Sequence, residues 1–137
     1  MASARVLVVS NFTIDLIEER SRVGGPGYYC CRALTELGVE CYALGHISEE
    51  YRGLVLGVLN LYGIRALEIP SRAMPVFSIV NGRVVAFRGE SPKIDVALVE
   101  AYAKTVGADI VVFSPVMSEI GSEDVKTFRN GFQGLTA

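Results

Sequence analysis

Apolar and polar positions divide this chain into short elements of two periods. Residues 5–10 (R-V-L-V-V-S) form an unbroken apolar run, the pattern of a strand covered on both faces. Asn11 to Glu19 holds a second, shorter extended piece around Ile14 and Leu16. Beyond the turn at Gly24–Gly27 the period becomes that of an amphipathic helix, from about Tyr28 to Leu37, with Gly38 at its C-terminal cap. Residues 39–44 read as a strand and Gly45, His46 and Ile47 as a turn. Ser48 with Glu49 and Glu50 then starts a helix that runs to Tyr62 and closes at Gly63. Residues 64–69 give another strand, stopped by Pro70.

Val76–Val80 and Arg83–Phe87 are two strand-like runs joined by Asn81-Gly82. Asn-Gly between apolar runs marks a two-residue hairpin, because a type I′ turn needs positive φ at both central residues. After Pro92 a helix is expected from about Ile94 to Val106, with Asp95 near its start and Gly107 at its end. Residues 109–113 read as a strand, and Ser122, Glu123 and Asp124 open a last helix from about 123 to 130. Leu135-Thr136-Ala137 then looks like the first residues of a further strand, so the chain stops where another βα unit should begin. Strands alternating with helices predict an α/β fold: a mostly parallel sheet with helices on both faces. One domain over residues 1–137 is expected, with the hairpin at about 74–89 projecting from it as a lid.

Composition narrows the function classes. Half of the 137 residues are hydrophobic and mean hydropathy is +0.37, which suits a sheet covered on both faces. Thirteen basic residues against fifteen acidic ones are scattered without a basic block, so no nucleic-acid partner is expected. No apolar stretch reaches the roughly eighteen residues of a membrane span, and no membrane partner is expected. Cys30, Cys31 and Cys41 are odd in number and lack a C-x-x-C pair. They read as small core residues of a reduced cytoplasmic protein, with no metal site.

Candidate chemistry gathers at the carboxyl ends of predicted strands, where open α/β sheets bind ligands. Strand one exits into Asn11 and Asp15, Gly24–Gly27 opens the next helix, and strand 109–113 exits towards Ser114, Pro115 and Glu119. Asp and Asn side chains and exposed glycine N–H groups can all hydrogen-bond vicinal hydroxyls. Gly25 and Gly27 begin a G-x-G-x-x-G pattern that meets Cys30 at its third glycine, so a dinucleotide fingerprint is not formed. There is no G-x-x-x-x-G-K-S/T, and His46 reads as a turn residue rather than a general base.

The order of these segments resembles the ribokinase-like (pfkB) family of carbohydrate kinases. S-N-F-T-I-D at 10–15 follows the first strand, G-G-P-G at 24–27 leads into a helix ending L-T-E-L-G at 34–38, and G-H-I-S-E-E-Y-R-G spans 45–53. The hairpin looks like part of the β lid that covers the sugar in that family. The resemblance implies that Asp15 binds substrate hydroxyls, with Gly24 and Gly25 contributing backbone N–H. It extends to Gly27 and Asn11, and loosely to Glu119 as a polar contact. Family members often carry Asn two residues after G-G-x-G, where this chain has Tyr29, so a nucleoside, an inositol or an unusual sugar is as eligible as ribose. The full-length family uses ATP and Mg and carries its catalytic Asp in a G-A-G-D-like motif. No G-A-G-D occurs in this sequence. The resemblance therefore implies the amino-terminal, substrate-binding half of a sugar or nucleoside kinase, with no catalytic residue and no cofactor of its own. The expectations beside it are a non-catalytic polyol-binding module and a truncated, self-associating fragment. A homodimer is favoured under each.

Overall fold

A computed structural model describes residues 4–137. The apolar run becomes β1 (Arg5–Val9), the central strand of a five-stranded sheet. β4 (Glu40–Ser48), β5 (Arg65–Ser71), β8 (Ile110–Phe113) and β9 (Leu135–Thr136) complete it in the order β5-β4-β1-β8-β9, every pair parallel. The helices α1 (Pro26–Glu36), α2 (Arg52–Leu61), α3 (Val96–Val106) and α4 (Ser122–Gly131) are the crossovers. Alternation along β1 splits the core. Val6 and Val8 pack with Cys31 of α1 and Val55 and Leu59 of α2, whereas Leu7 and Val9 pack with Val99 and Ala103 of α3 and Phe128 of α4. The predicted α/β class, with helices on both faces of a mostly parallel sheet, is the class observed.

A second, four-stranded sheet lies beside the first. β2 (Thr13–Ile17) pairs antiparallel with β3 (Arg20–Gly24) and parallel with β6 (Val76–Val80), which pairs antiparallel with β7 (Arg83–Arg88). The hairpin is therefore half of a mixed sheet rather than a flap on its own. Asn81 and Gly82 have φ of 51° and 74°, the positive values that a type I′ turn requires. Ile14, Val23 and Val76 from one face of this sheet share the core of Val6 and Val8, which fixes the two sheets to each other.

Several sequence expectations are corrected. Gly45, His46 and Ile47 are not a turn but the buried end of β4, paired with Glu68, Ile69 and Pro70 of β5. Gly45 suits a turn by propensity; here it is needed because any side chain would overlap the carbonyl oxygen of Ser10, the residue after β1. Pro70 does not stop β5, which runs on to Ser71; β5 is an edge strand, where a missing N–H costs no ladder bond. Ser48 does stand at the N-cap of the helical segment, which starts as a 3-10 turn (Glu49–Tyr51) leading into α2, but its hydroxyl makes no capping bond and is buried without a partner among the described residues. Residues 20–24, read only as the approach to a glycine turn, are a full strand. The polar run R-S-R shows no apolar alternation because those three residues are exposed. The final helix and the start of a last strand fall where expected.

Cys30, Cys31 and Cys41 are free thiols. Among the described residues no helix is long and apolar enough to cross a membrane.

Two glycine replacements separate close approach from propensity. Gly45→Ala forces a methyl group against backbone and is expected to lower unfolding stability by about 1–3 kcal/mol. Gly57→Ala, in the exposed middle of α2 with no atom near the new methyl, is expected to raise it by about 0.5–1 kcal/mol. Urea unfolding of the two variants checks both signs.

Candidate functional site

The chain leaves the first sheet at Asn11 and enters the second at Thr13, so this short crossing sets how the sheets meet. Asn11 is 1% exposed and its side chain is fully engaged. Its Nδ2 donates to the Pro92 carbonyl at 2.7 Å and to Ser91 Oγ at 2.9 Å. Its Oδ1 accepts from the backbone N–H of His46 at 3.0 Å and lies 2.8 Å from His46 Nδ1. A carbonyl can only accept and a backbone N–H can only donate, so the amide has one possible orientation. It follows that His46 carries its proton on Nδ1, which is the donor to Oδ1. Burial holds the imidazole below its ordinary pKa, partly offset by the nearby Glu119 carboxylate.

Glu119 completes this hub from the loop after β8. It is 1% exposed, and its carboxylate accepts three backbone N–H groups: Asn11 at 3.0 Å, Val116 at 2.8 Å and Met117 at 2.8 Å. Its own carbonyl accepts from Ile94 N at 2.9 Å. The crossing after β1, the end of β4, the base of the hairpin and the loop after β8 are thus tied through Asn11 and Glu119. The polar side-chain atoms of both are bonded within the protein.

The exposed groups converge in front of the hub. Thr13, Asp15, Gly25, Pro26, Tyr29, Phe77, Ile79, Val84 and Val116 line an open cleft of ≈ 300 Å³ between the second sheet and the start of α1. Strand register explains the grouping: Asp15 is paired with Phe77 of β6 on one side and Arg22 of β3 on the other, and neighbouring register partners share a face. Asp15 Oδ1 accepts from Thr13 Oγ1 at 3.1 Å. Burial pushes its carboxyl above the ordinary Asp range, and the Thr13 hydrogen bond opposes this only in part. Gly24 faces the same carboxylate, and any side chain there would overlap Asp15 Oδ2. Gly25, with φ 102° and ψ 146°, caps α1 in a conformation open to glycine, and Pro26 takes the first helical position. Gly27 is buried and lets α1 approach Ser10; it does not line the cleft.

Of the seven residues singled out from the sequence, Asp15, Gly25 and Tyr29 line one cleft and Gly24 sits beneath it. Gly27 packs α1 on β1, while Asn11 and Glu119 form the hub behind. Phe77, Ile79 and Val84 were legible only as strand residues, since nothing in a hairpin pattern says which face it turns to a ligand. His46 gave no signal beyond its type.

No family model and no curated protein matches the sequence. Solved structures do match the fold. Ribokinase from Thermotoga maritima superposes with a TM-score of 0.71 at 17% identity, over 98% of this chain and 52% of that one. The fold is ribokinase-like. A possible 1-phosphofructokinase from Thermotoga maritima gives 0.60 at 17% identity, over 96% and 53%. A pyrophosphate-dependent kinase in the ribokinase family, complexed with a pyrophosphate analog and myo-inositol, gives 0.70 at 11% identity, over 95% and 47%. The chain spans about half the length of these ribokinase-like structures.

ATP and Mg, which the resemblance to full-length pfkB kinases implies, meet an unsuited lining in the cleft. The cleft offers a carboxylate and no cation, which does not fit a polyphosphate. Among the described residues no group of three His, Cys, Asp or Glu side chains could hold a metal ion.

The hub predicts two measurable effects. Asn11→Ala orphans the buried His46 N–H and the Pro92 carbonyl, and is expected to cost at least ~2 kcal/mol in urea unfolding. A depressed folded-state pKa means that the unfolded chain binds the His46 proton first as pH falls. Stability from neutral His46 is therefore complete above about pH 6.5 and declines below it, towards the lowered folded-state value. His46→Asn keeps a donor to Asn11 Oδ1 without a titrating ring. Unfolding midpoints at neutral and mildly acidic pH should show a smaller acid loss for the variant.

Proposed function

We propose that this chain is the acceptor-binding portion of a sugar or nucleoside kinase, holding substrate hydroxyls at Asp15. The observation that carries the reading is the placement of Asp15. Its carboxylate is half-buried beside Gly24 and Gly25, faces the cleft in a ribokinase-like fold, and takes a single hydrogen bond among the described residues. An under-bonded, partly desolvated carboxylate can accept hydrogen bonds from two vicinal hydroxyls. Gly24 keeps space beside it, and Tyr29 supplies an aromatic wall. The chain by itself binds without transferring phosphoryl, because transfer needs a positioned base and donors around the moving phosphoryl. A cytoplasmic setting is consistent with the three free thiols.

Calorimetric titration against a panel of sugars, polyols and nucleosides tests the assignment. Binding to at least one member is expected, with Asp15→Asn weakening it by tenfold or more (about 1.4 kcal/mol). The same variant removes a buried carboxyl whose folded-state pKa is raised, so at neutral pH its unfolding midpoint should equal or exceed the parent's. Sign and window follow from that shift. The parent's stability from this group is full below about pH 3.8 and is lost as pH rises through the folded-state value. Turnover of ATP or pyrophosphate by the chain alone would refute the non-transferring part.

A homodimer is also proposed, on a separate observation. β7 is the edge of the second sheet and exposes Val84, Val85 and Phe87, an apolar edge open to pairing with a second copy. Val85→Lys should shift a dimer to monomer in light scattering, and a monomeric parent would end the idea.

A further inference from the structure

The lining of the cleft goes beyond hydroxyl recognition, and the following step rests on Asp15 holding those hydroxyls. We infer that the ligand is a nucleoside: an uncharged molecule with its hydroxyls along one edge and a flat, weakly polar ring on the other side. Polarity in the cleft is one-sided. Asp15 and Thr13 lie together on β2, joined by their 3.1 Å hydrogen bond. Beside them on the next two strands the same face turns apolar, with Phe77 and Ile79 on β6 and Val84 on β7, and Val116 and Tyr29 flank it. Phe77 packs against Phe87, ring centroids 5.2 Å apart, which widens the aromatic surface.

This asymmetry separates the candidate ligands. A cyclic polyol carries hydroxyls around its whole ring. Those facing Phe77 and Ile79 would lose water and gain no partner, a penalty for each. A nucleoside places its diol on one edge and its base on the other, and a base gains by stacking on an aromatic side chain. The volume of ≈ 300 Å³ is at the small end for a ligand pocket and suits a molecule of this size. Charge disfavours a phosphate placed against Asp15, the charged side chain of the lining. Arg22, its register partner on β3, shares that face but lines the adjoining cleft with Tyr28, Tyr29 and Tyr62.

Calorimetric titration of the full chain with adenosine, uridine, ribose, myo-inositol and ribose 5-phosphate tests this. Both nucleosides are expected to bind more tightly than ribose by roughly tenfold or more. Tyr29 is half-exposed, so its replacement spares the core. Tyr29→Ala should narrow the gap between nucleosides and ribose, and Tyr29→Phe should preserve it. Equal or tighter binding of myo-inositol or ribose 5-phosphate overturns the inference, as does a gap indifferent to Tyr29→Ala. If such a ligand binds and Asp15→Asn weakens it, the acceptor-binding reading stands and only the nucleoside assignment falls. If no member of the panel binds, both fall.

Discussion

The buried amide of Asn11 is the contact on which the rest of this structure depends. It stands where the chain passes from one sheet to the other, and it bonds to segments that are far apart in sequence: His46 at the end of β4 and Ser91-Pro92 at the base of the hairpin. Glu119 adds the loop after β8 by accepting the Asn11 backbone N–H. A buried polar network of this kind specifies geometry when every member is bonded and destabilises when one is not. Here the amide's donors and acceptors are matched by groups whose roles cannot be exchanged, which fixes both the Asn11 orientation and the His46 tautomer. An apolar residue could fill the same space and keep the backbone bond to Glu119, but could not tie the end of β4 and the base of the hairpin to this crossing.

The position of the cleft follows from this hub. Thr13 starts β2 two residues beyond Asn11, so Asp15 is placed relative to the first sheet by a crossing with little freedom. Shared burial of Ile14, Val23 and Val76 with Val6 and Val8 holds the second sheet in that orientation. Close approaches do the rest. Gly45 and Gly27 bring β4 and α1 against Ser10, and Gly24 brings β3 against the Asp15 carboxylate. At these positions a glycine is selected by what lies beside it, not by local turn propensity.

That distinction explains what the sequence made legible. Elements defined by local periodicity were readable: the apolar β1, the helices closed by glycine, and the hairpin through Asn81-Gly82. Those defined by tertiary contact were not. Gly45-His46 resembles a turn unless one knows that β1 runs alongside it, and Pro70 resembles a stop unless β5 is known to be an edge. The polar β3 has no pattern because its exposed residues satisfy no core. For the site, residue type and segment order pointed to Asp15, Gly25 and Tyr29. The same reasoning could not separate them from Asn11 and Glu119, because a polar side chain near a strand end looks alike whether it faces solvent or the interior.

The two carboxylates make that separation in physical terms. Glu119 is the more deeply buried, yet three backbone N–H groups replace the water it lost. Such a group is solvated by the fold and has nothing further to gain from a ligand. Asp15 is less buried, receives one hydroxyl hydrogen bond, and has its carboxyl pushed up by desolvation. The fold places it where its charged form is under-solvated, against its own electrostatic preference: of its two register partners Phe77 has no donor, and Arg22 makes no hydrogen bond to it among the described residues. A carboxylate left short of donors at the mouth of a cleft is stabilised by whatever brings hydroxyls to it. Burial alone would have ranked Glu119 first; the count of hydrogen bonds reverses the order and leaves Asp15 as the carboxylate with capacity for further donors.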